Sequence, residues 1–193
     1  MQSERALPLT EIRNKMIIQF CGLSGSGKTT LAERVKSVFG KKGMKIEVID
    51  GDEYRKVLCA DLGFSKHDRN QNIRRLAFVA SKLSAHDIIA IICAINPYEE
   101  IRQEIATNYN QVKTVFIDCD LETLKQRDTK GLYKKALLPE GHPEKIRNLS
   151  GVNDPFEIPL QPDLVINTAN ETIETSTRKL ESFILKCLNL ANL

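Results

Sequence analysis

Residues 22 to 30 read Gly-Leu-Ser-Gly-Ser-Gly-Lys-Thr-Thr, a run suited to holding phosphate. Gly22, Gly25 and Gly27 let the backbone turn tightly and approach anionic oxygens, so that successive N–H groups point inward. Leu23, Ser24 and Ser26 fill the turns between them, and Thr30 follows. Lys28 adds a positive charge on a long arm, and the Thr29 hydroxyl is placed to ligate a nucleotide-bound Mg²⁺. The spacing from Gly22 to Gly27-Lys28-Thr29 satisfies the full P-loop pattern. A second group of chemical side chains is Asp50-Gly51-Asp52, with Arg55 close behind. One carboxylate can hold a metal-bound water while another accepts a proton from an attacking hydroxyl. By composition alone Asp-Gly-Asp is a turn carrying solvated acids. Its position after a strand argues otherwise, because ligands of open parallel sheets gather at the carboxyl ends of the strands.

The elements that must position these groups alternate. Lys15 to Cys21 is an apolar run of strand length, and after the glycine turn Leu31, Val35 and Val38 recur at helical spacing up to Gly40, where the helix is expected to end. A strand, a glycine turn and a helix N-terminus together form an anion site. Apolar runs at 46–49, 88–95, 112–117 and 164–166 are continuous and mostly β-branched, as expected for a parallel sheet buried on both faces. Between them, residues 68–85 carry Ile73, Leu76, Ala77, Ala80 and Leu83 on a helical period, with Ser65 and Asp68 as the cap. Residues 99–106 and 121–127 are shorter helices, and a closing amphipathic helix carries Ile173, Leu180, Phe183, Ile184, Cys187 and Leu188, with Thr168 and Glu171 as a capping box. The architecture expected is a three-layer α/β domain with a central parallel sheet flanked by helices. Residues 1–14 read as an N-terminal extension and 15–193 as one domain. Within it, the stretch from about 128 to 162 holds prolines, glycines and charges without a period, the composition of a lid or binding segment.

Bulk properties set limits. A chain of 193 residues, 41% hydrophobic and 27% charged, has room for one core and no second catalytic domain. A net charge of +3 argues against a nucleic-acid surface, leaving only local clusters such as Lys134-Lys135 to meet phosphate. Five cysteines at 21, 59, 93, 119 and 187 lack metal spacing and read as buried free thiols. No apolar stretch is of membrane-spanning length, so no membrane partner is expected, and a reducing cytoplasm is the compartment expected.

The ordered set Asp61-Leu-Gly-Phe-Ser65, Asp68-Arg69, Asn72-Ile-Arg-Arg75 and Lys130-Gly-Leu-Tyr-Lys-Lys135, following the P-loop and Asp-Gly-Asp, resembles the adenylyl-sulfate kinase family from about Met16 to Asn167. The resemblance implies a P-loop kinase fold with a mobile lid, ATP with Mg²⁺, a role in sulfate assimilation and a homodimer. The activity implied is transfer of the ATP γ-phosphate to the 3′-hydroxyl of adenosine 5′-phosphosulfate. By similarity Asp52 is the general base, with Asp50 organising Mg²⁺ water and Lys28. Residues 22–30 and Arg127 would bind ATP, and Arg127 could stabilise transferring charge. On the acceptor side Arg55 and Arg69 would engage the phosphosulfate with planar paired donors. Asn72 would hydrogen-bond the nucleotide, Phe64 would stack on its base, and Ile95 and Leu149 would line the site. Lys134 and Lys135 could reach phosphates as the lid closes. Singly, Phe64 could instead be simple core, Arg69 could pair with Asp68 or a neighbouring acid on a helix, Arg127 could simply end a helix, and Arg74-Arg75 reads as a solvated face.

The departures from that family fall on the acceptor side. Its usual Ile-Ser-Pro-Tyr-Arg is here Ile95-Asn-Pro-Tyr-Glu99, and its Phe-Thr-Gly-Ile is Leu149-Ser-Gly-Val152. Pro139 and Pro143 lie in an apparent insertion, and Gln71 replaces a glutamate. An anion at 99 should weaken a dianionic acceptor unless it points away, and leucine loses the aromatic stack. Two alternatives therefore stand beside the main reading: a kinase of the ribose 3′-hydroxyl of another nucleotide conjugate, such as a cytidine diphosphate derivative, and a nucleotide-binding module without turnover.

Overall fold

The computed structural model describes residues 15–190; the N-terminal extension expected over 1–14 lies outside them. Five parallel strands form the sheet: β1 (Ile17–Cys21), β2 (Ile46–Asp50), β3 (Ile89–Cys93), β4 (Val112–Asp118) and β5 (Leu164–Asn167). Their order is β2-β3-β1-β4-β5, and the register pairs Phe20 with Cys93 on one side and with Val115 on the other. The helices are α1 (Lys28–Lys41), α2 (Gly51–Tyr54), α3 (Lys66–Ala85), α4 (Glu99–Asn108), α5 (Leu121–Arg127), α6 (Leu132–Ala136) and α7 (Ile173–Cys187).

The continuous apolar strands are explained by layers on both faces. Ile18, Phe20, Ile91 and Val115 pack with Leu31, Val35 and Phe39 of α1 and Leu180 and Ile184 of α7. Facing the other way, Ile17, Ile49 and Ile92 pack with Ile73, Leu76 and Ala77 of α3 and Ile101 and Ile105 of α4. Neighbouring residues on one strand thus serve opposite cores, as the two-residue strand period requires. Among the described residues, no helix is long and apolar enough to cross a membrane. All five cysteines are free thiols, four of them buried and Cys187 half-buried.

Local signals were obeyed where nothing distant competed. Ser65 caps α3, its hydroxyl accepting from the Asp68 N–H at 3.1 Å. Two expectations need correction. Helix α1 runs past Gly40 to Lys41, and Gly43, at φ 74°, supplies the left-handed turn after it. The closing helix is capped by Thr172, not by Thr168 and Glu171. Thr168 is drawn away because its hydroxyl donates to the Ser26 and Asp118 carbonyls, while Glu171 accepts from the Asn167 N–H and pairs with Lys179.

The irregular segment is more ordered than its composition suggests. It contains α6, and a third apolar cluster joins Tyr133, Ala136 and Leu149 to Leu124 and Cys119, with Leu23 and Ile146 against it. Gly151, at φ 84°, lies directly over Leu23: a Cβ there would come within 2.5 Å of the leucine Cδ2. This segment therefore packs onto the phosphate loop itself.

Candidate active site

The loop after β1 is fixed from three directions. The Gly22 N–H donates to the Ile95 carbonyl after β3 at 3.1 Å, and a Cβ at Gly22 would collide with the Ile117 carbonyl oxygen of β4. The Tyr133 hydroxyl donates to the Ser24 carbonyl at 2.8 Å from α6. Lys28 is buried, and its ammonium donates to the Gly22 and Leu23 carbonyls at 2.9 and 2.7 Å. Burial, partly offset by neighbouring Cys93 and Asp52, pulls its pKa down to about 8. Lys28 is thus a cation in need of anionic company.

Asp50 ends β2 and caps the short α2, one carboxylate oxygen accepting from the Asp52 N–H at 2.8 Å. Its other oxygen accepts from the Thr29 hydroxyl at 2.7 Å. Hard oxygen donors from α1 and β2 therefore meet beside the phosphate loop, the donor chemistry that suits Mg²⁺. Among the described residues no group of three His, Cys, Asp or Glu side chains could hold a metal by itself. A Mg²⁺ here would need phosphate oxygens and water to complete its shell.

Two cavities open on this machinery. The larger, about 580 Å³, is lined by Gly25, Gly27, Lys28, Thr29, Thr30 and Asp50, and by Ile146, Asn148 and Leu149 across from them. A smaller one beside it is lined by Arg55, Phe64, Arg69, Asn72, Ile95 and Asn96. Asp52, Phe64, Arg69, Ala94 and Ile95 border both. Phe64 is half exposed and is flanked by two guanidinium groups, that of Arg55 at 4.7 Å and that of Arg69 at 5.6 Å from its ring centre. It is a cavity wall and not core. Burial and the neighbouring Arg69 charge both push the Arg55 pKa down, so this pair concentrates positive potential where an anion would relieve it. The Asn72 side-chain oxygen is buried and has no hydrogen-bond partner among the described residues, a group whose desolvation a ligand donor would repay.

Sequence-predicted residues separate at this point. Arg55, Phe64, Arg69, Asn72, Ile95 and Leu149 converge with the phosphate loop. Arg69 reaches Asp154, at 3.3 Å, and the Asn148 carbonyl, not Asp68. Arg127 donates to the Thr168 carbonyl at 2.8 Å, next to the loop but off the cavity wall. Lys134 is exposed and borders neither cavity, and Lys135 pairs with Glu144. On α6 the inward positions are Tyr133 and Ala136, one helical turn apart, which turns Lys134 and Lys135 outward. Arg74 and Arg75 pair with Glu104 and Asp61, as their reading as a surface face anticipates.

Three contributors were not singled out from sequence. Lys130 sits beside Asp52, its ammonium donating to the carboxylate at 2.5 Å. Tyr133 holds the phosphate loop. Ile146, between Pro143 and Leu149, lines the large cavity. Lys130 and Tyr133 lay inside the Lys-Gly-Leu-Tyr motif, but Lys130 precedes α6, and that helix, five residues long, is too short to reveal its phase from sequence.

A five-stranded parallel sheet with a phosphate loop after its central strand β1, and acids after the edge strand β2, defines a P-loop phosphotransferase-type α/β domain. The sequence profile of the family described as Adenylylsulphate kinase matches residues 14–167. The chain is 42% identical over 161 residues to the adenylyl-sulfate kinase of Synechococcus sp. (strain JA-3-3Ab), covering 83% of this chain and 89% of that protein. It is also 42% identical over 164 residues to the probable bifunctional SAT/APS kinase 2 of Sorangium cellulosum, spanning 85% of this chain but only 27% of that longer protein. Among solved structures it is similar to the Mycobacterium tuberculosis APS kinase in complex with AMPPNP and APS, with a TM-score of 0.81 and 34% identity over 88% of this chain and 96% of that one. The chain belongs to the adenylylsulphate kinase family, a family of ATP-dependent kinases.

Proposed function

We propose that this protein transfers the γ-phosphate of ATP to the 3′-hydroxyl of adenosine 5′-phosphosulfate, releasing ADP and 3′-phosphoadenosine 5′-phosphosulfate. The observation that carries this reading is the position of Asp52, bordering both the phosphate-loop cavity and the arginine-lined one. A general base for phosphoryl transfer must stand between donor and acceptor, within reach of the attacking hydroxyl.

In this reading the loop N–H groups, Lys28 and Thr29 hold the donor phosphates, with Arg127 beside them, and Mg²⁺ held there would supply neutralisation of developing charge. Thr29 and, through water, Asp50 would hold that ion. Asp52 accepts the proton of the 3′-hydroxyl as its oxygen attacks the γ-phosphorus. Arg55 and Arg69 take the phosphosulfate, Asn72 bonds the nucleotide, and the base lies between Phe64 and the apolar wall of Leu149 and Ile146. Residues 128–162 act as the lid of a single domain over 15–193. Lys130 on Asp52 ties the lid to the base; Lys134 would need the lid to move to reach phosphate.

The altered residues fit this acceptor. Glu99 lies in neither cavity lining and pairs with Arg102 at 2.6 Å, so its charge is spent inside the protein. That removes the charge argument for another nucleotide conjugate. The family resemblance also implies a homodimer, for which sedimentation is the direct check. The function is tested by ATP-dependent 3′-phosphorylation of adenosine 5′-phosphosulfate by purified protein, with a cytidine diphosphate conjugate alongside and Asp52→Asn as control. Turnover of the phosphosulfate alone is expected; preference for the cytidine compound would reverse the acceptor assignment.

A further inference from the structure

The acceptor wall at Ile95, Asn96 and Pro97 has an unusual backbone. Asn96 sits at φ 48° and is buried, a conformation that persists only where the surroundings over-determine it. What determines it is a buried polar network. The Asn96 amide donates to the side-chain oxygen of Gln19, in the middle of β1, at 3.1 Å. The Asn96 carbonyl accepts from Arg102 at 2.7 Å. Arg102 is only 2% exposed, and it also donates to the Glu157 carbonyl at 2.7 Å and to the Glu99 carboxylate at 2.6 and 2.9 Å. The backbone closes the same circuit: the Glu99 N–H donates to the Glu157 carboxylate at 2.6 Å, and the Glu157 N–H donates to the Pro97 carbonyl at 2.8 Å.

In this circuit Glu99 is the group that makes Arg102 tolerable. A buried guanidinium without a carboxylate is an uncompensated charge and must move toward water, taking its bonds to Asn96 and Glu157 with it. Burial alone would push the Glu99 carboxyl up, yet hydrogen bonds from Arg102 and Gln103 hold it below the ordinary glutamate range, so the charge stays in place. We infer that Glu99 is a positioning residue for acceptor binding, acting through Arg102 to fix the Asn96-Pro97 wall and to join it to the far end of the segment that folds over the site. This rests on the function proposed above. It also reverses the simplest expectation from the family pattern. Arginine at 99 would add no useful cation for the acceptor; it would set a second cation against Arg102 and loosen the wall.

The test compares Glu99→Arg and Glu99→Gln with the parent protein, measuring KM for adenosine 5′-phosphosulfate and for ATP, with hydrogen exchange followed by mass spectrometry. Loss of a charge-assisted buried contact predicts an acceptor KM raised about tenfold or more in Glu99→Arg and roughly threefold in Glu99→Gln, with the ATP KM within about twofold. Exchange should quicken together at 95–99 and at 154–158 in Glu99→Gln, which keeps the side-chain shape and serves if Glu99→Arg fails to fold. An acceptor KM that is unchanged or lower in Glu99→Arg overturns the inference. So does a parallel rise in both KM values tracking a lower melting temperature, the mark of a merely structural role. If the parent protein leaves the phosphosulfate untouched, the functional reading fails while the exchange experiment still decides the linkage: unchanged exchange at either segment refutes it.

Discussion

Asp52 and Lys28 carry the sharpest expectations at the scale of single residues. Asp52→Asn keeps the shape and removes the base, so kcat should fall by about 10²–10⁴-fold while ATP binding, measured by calorimetry, changes little. Lys28 offers a test through protons. Its pKa is lowered to about 8 by burial, from 10.5, so between those values the unfolded chain binds a proton that the folded one lacks. Stability therefore rises with pH across that window, and below about 8 the folded protein bears the full cost of the buried charge. Phosphate oxygens would pull the pKa back up, so nucleotide binding near pH 8 should take up roughly half a proton at Lys28. Calorimetry in buffers of different ionisation enthalpy reads this uptake, and it should vanish in Lys28→Met. An uptake unaffected by that substitution would place the proton elsewhere, on the nucleotide itself.

At the scale of elements, the segment from 128 to 162 is where small changes should act on two substrates. Tyr133→Phe removes one buried hydrogen bond to the Ser24 carbonyl, which should cost about 1 kcal/mol of stability. It should also raise the ATP KM before the acceptor KM, because Ser24 belongs to the phosphate loop. Leu149→Phe restores an aromatic partner opposite Phe64, worth about 0.5–1.5 kcal/mol if the base lies between them. Steady-state kinetics should then show a lower acceptor KM; no change would mean that Ile146 and Leu149 already fill the wall. The strands were legible because continuous apolar runs have few other fates, and Ser65 was legible because a cap is a local event. Thr168 misled because its hydroxyl serves Ser26, 142 positions away, and no local pattern records such a debt. Arg102 was overlooked for the same reason: its partners at Asn96 and Glu157 are brought together by the fold of the sheet. The site could be read as far as its motifs reached, to Asp52, Arg55 and Phe64. Which lysine of the Lys130–Lys135 run faces inward depended on the phase of a helix too short to declare itself.

Taken as a whole molecule, the protein places two apolar layers against the faces of its sheet and a third cluster over its carboxyl end. That third cluster contains Leu124 from the body, Leu23 from the phosphate loop and Tyr133, Ala136 and Leu149 from the segment above. If the segment over the site lifts to release a nucleotide, it parts these side chains and wets them. Exposing apolar surface carries a heat-capacity signature, so if opening limits turnover, the Arrhenius plot of kcat should curve, and added viscogen should slow kcat. Gly151→Ala, which forces a methyl group toward Leu23, would prise the cluster apart and flatten both dependences. The tempo of this enzyme would then be set by how readily a small oily seam parts and reseals, once for every molecule it finishes.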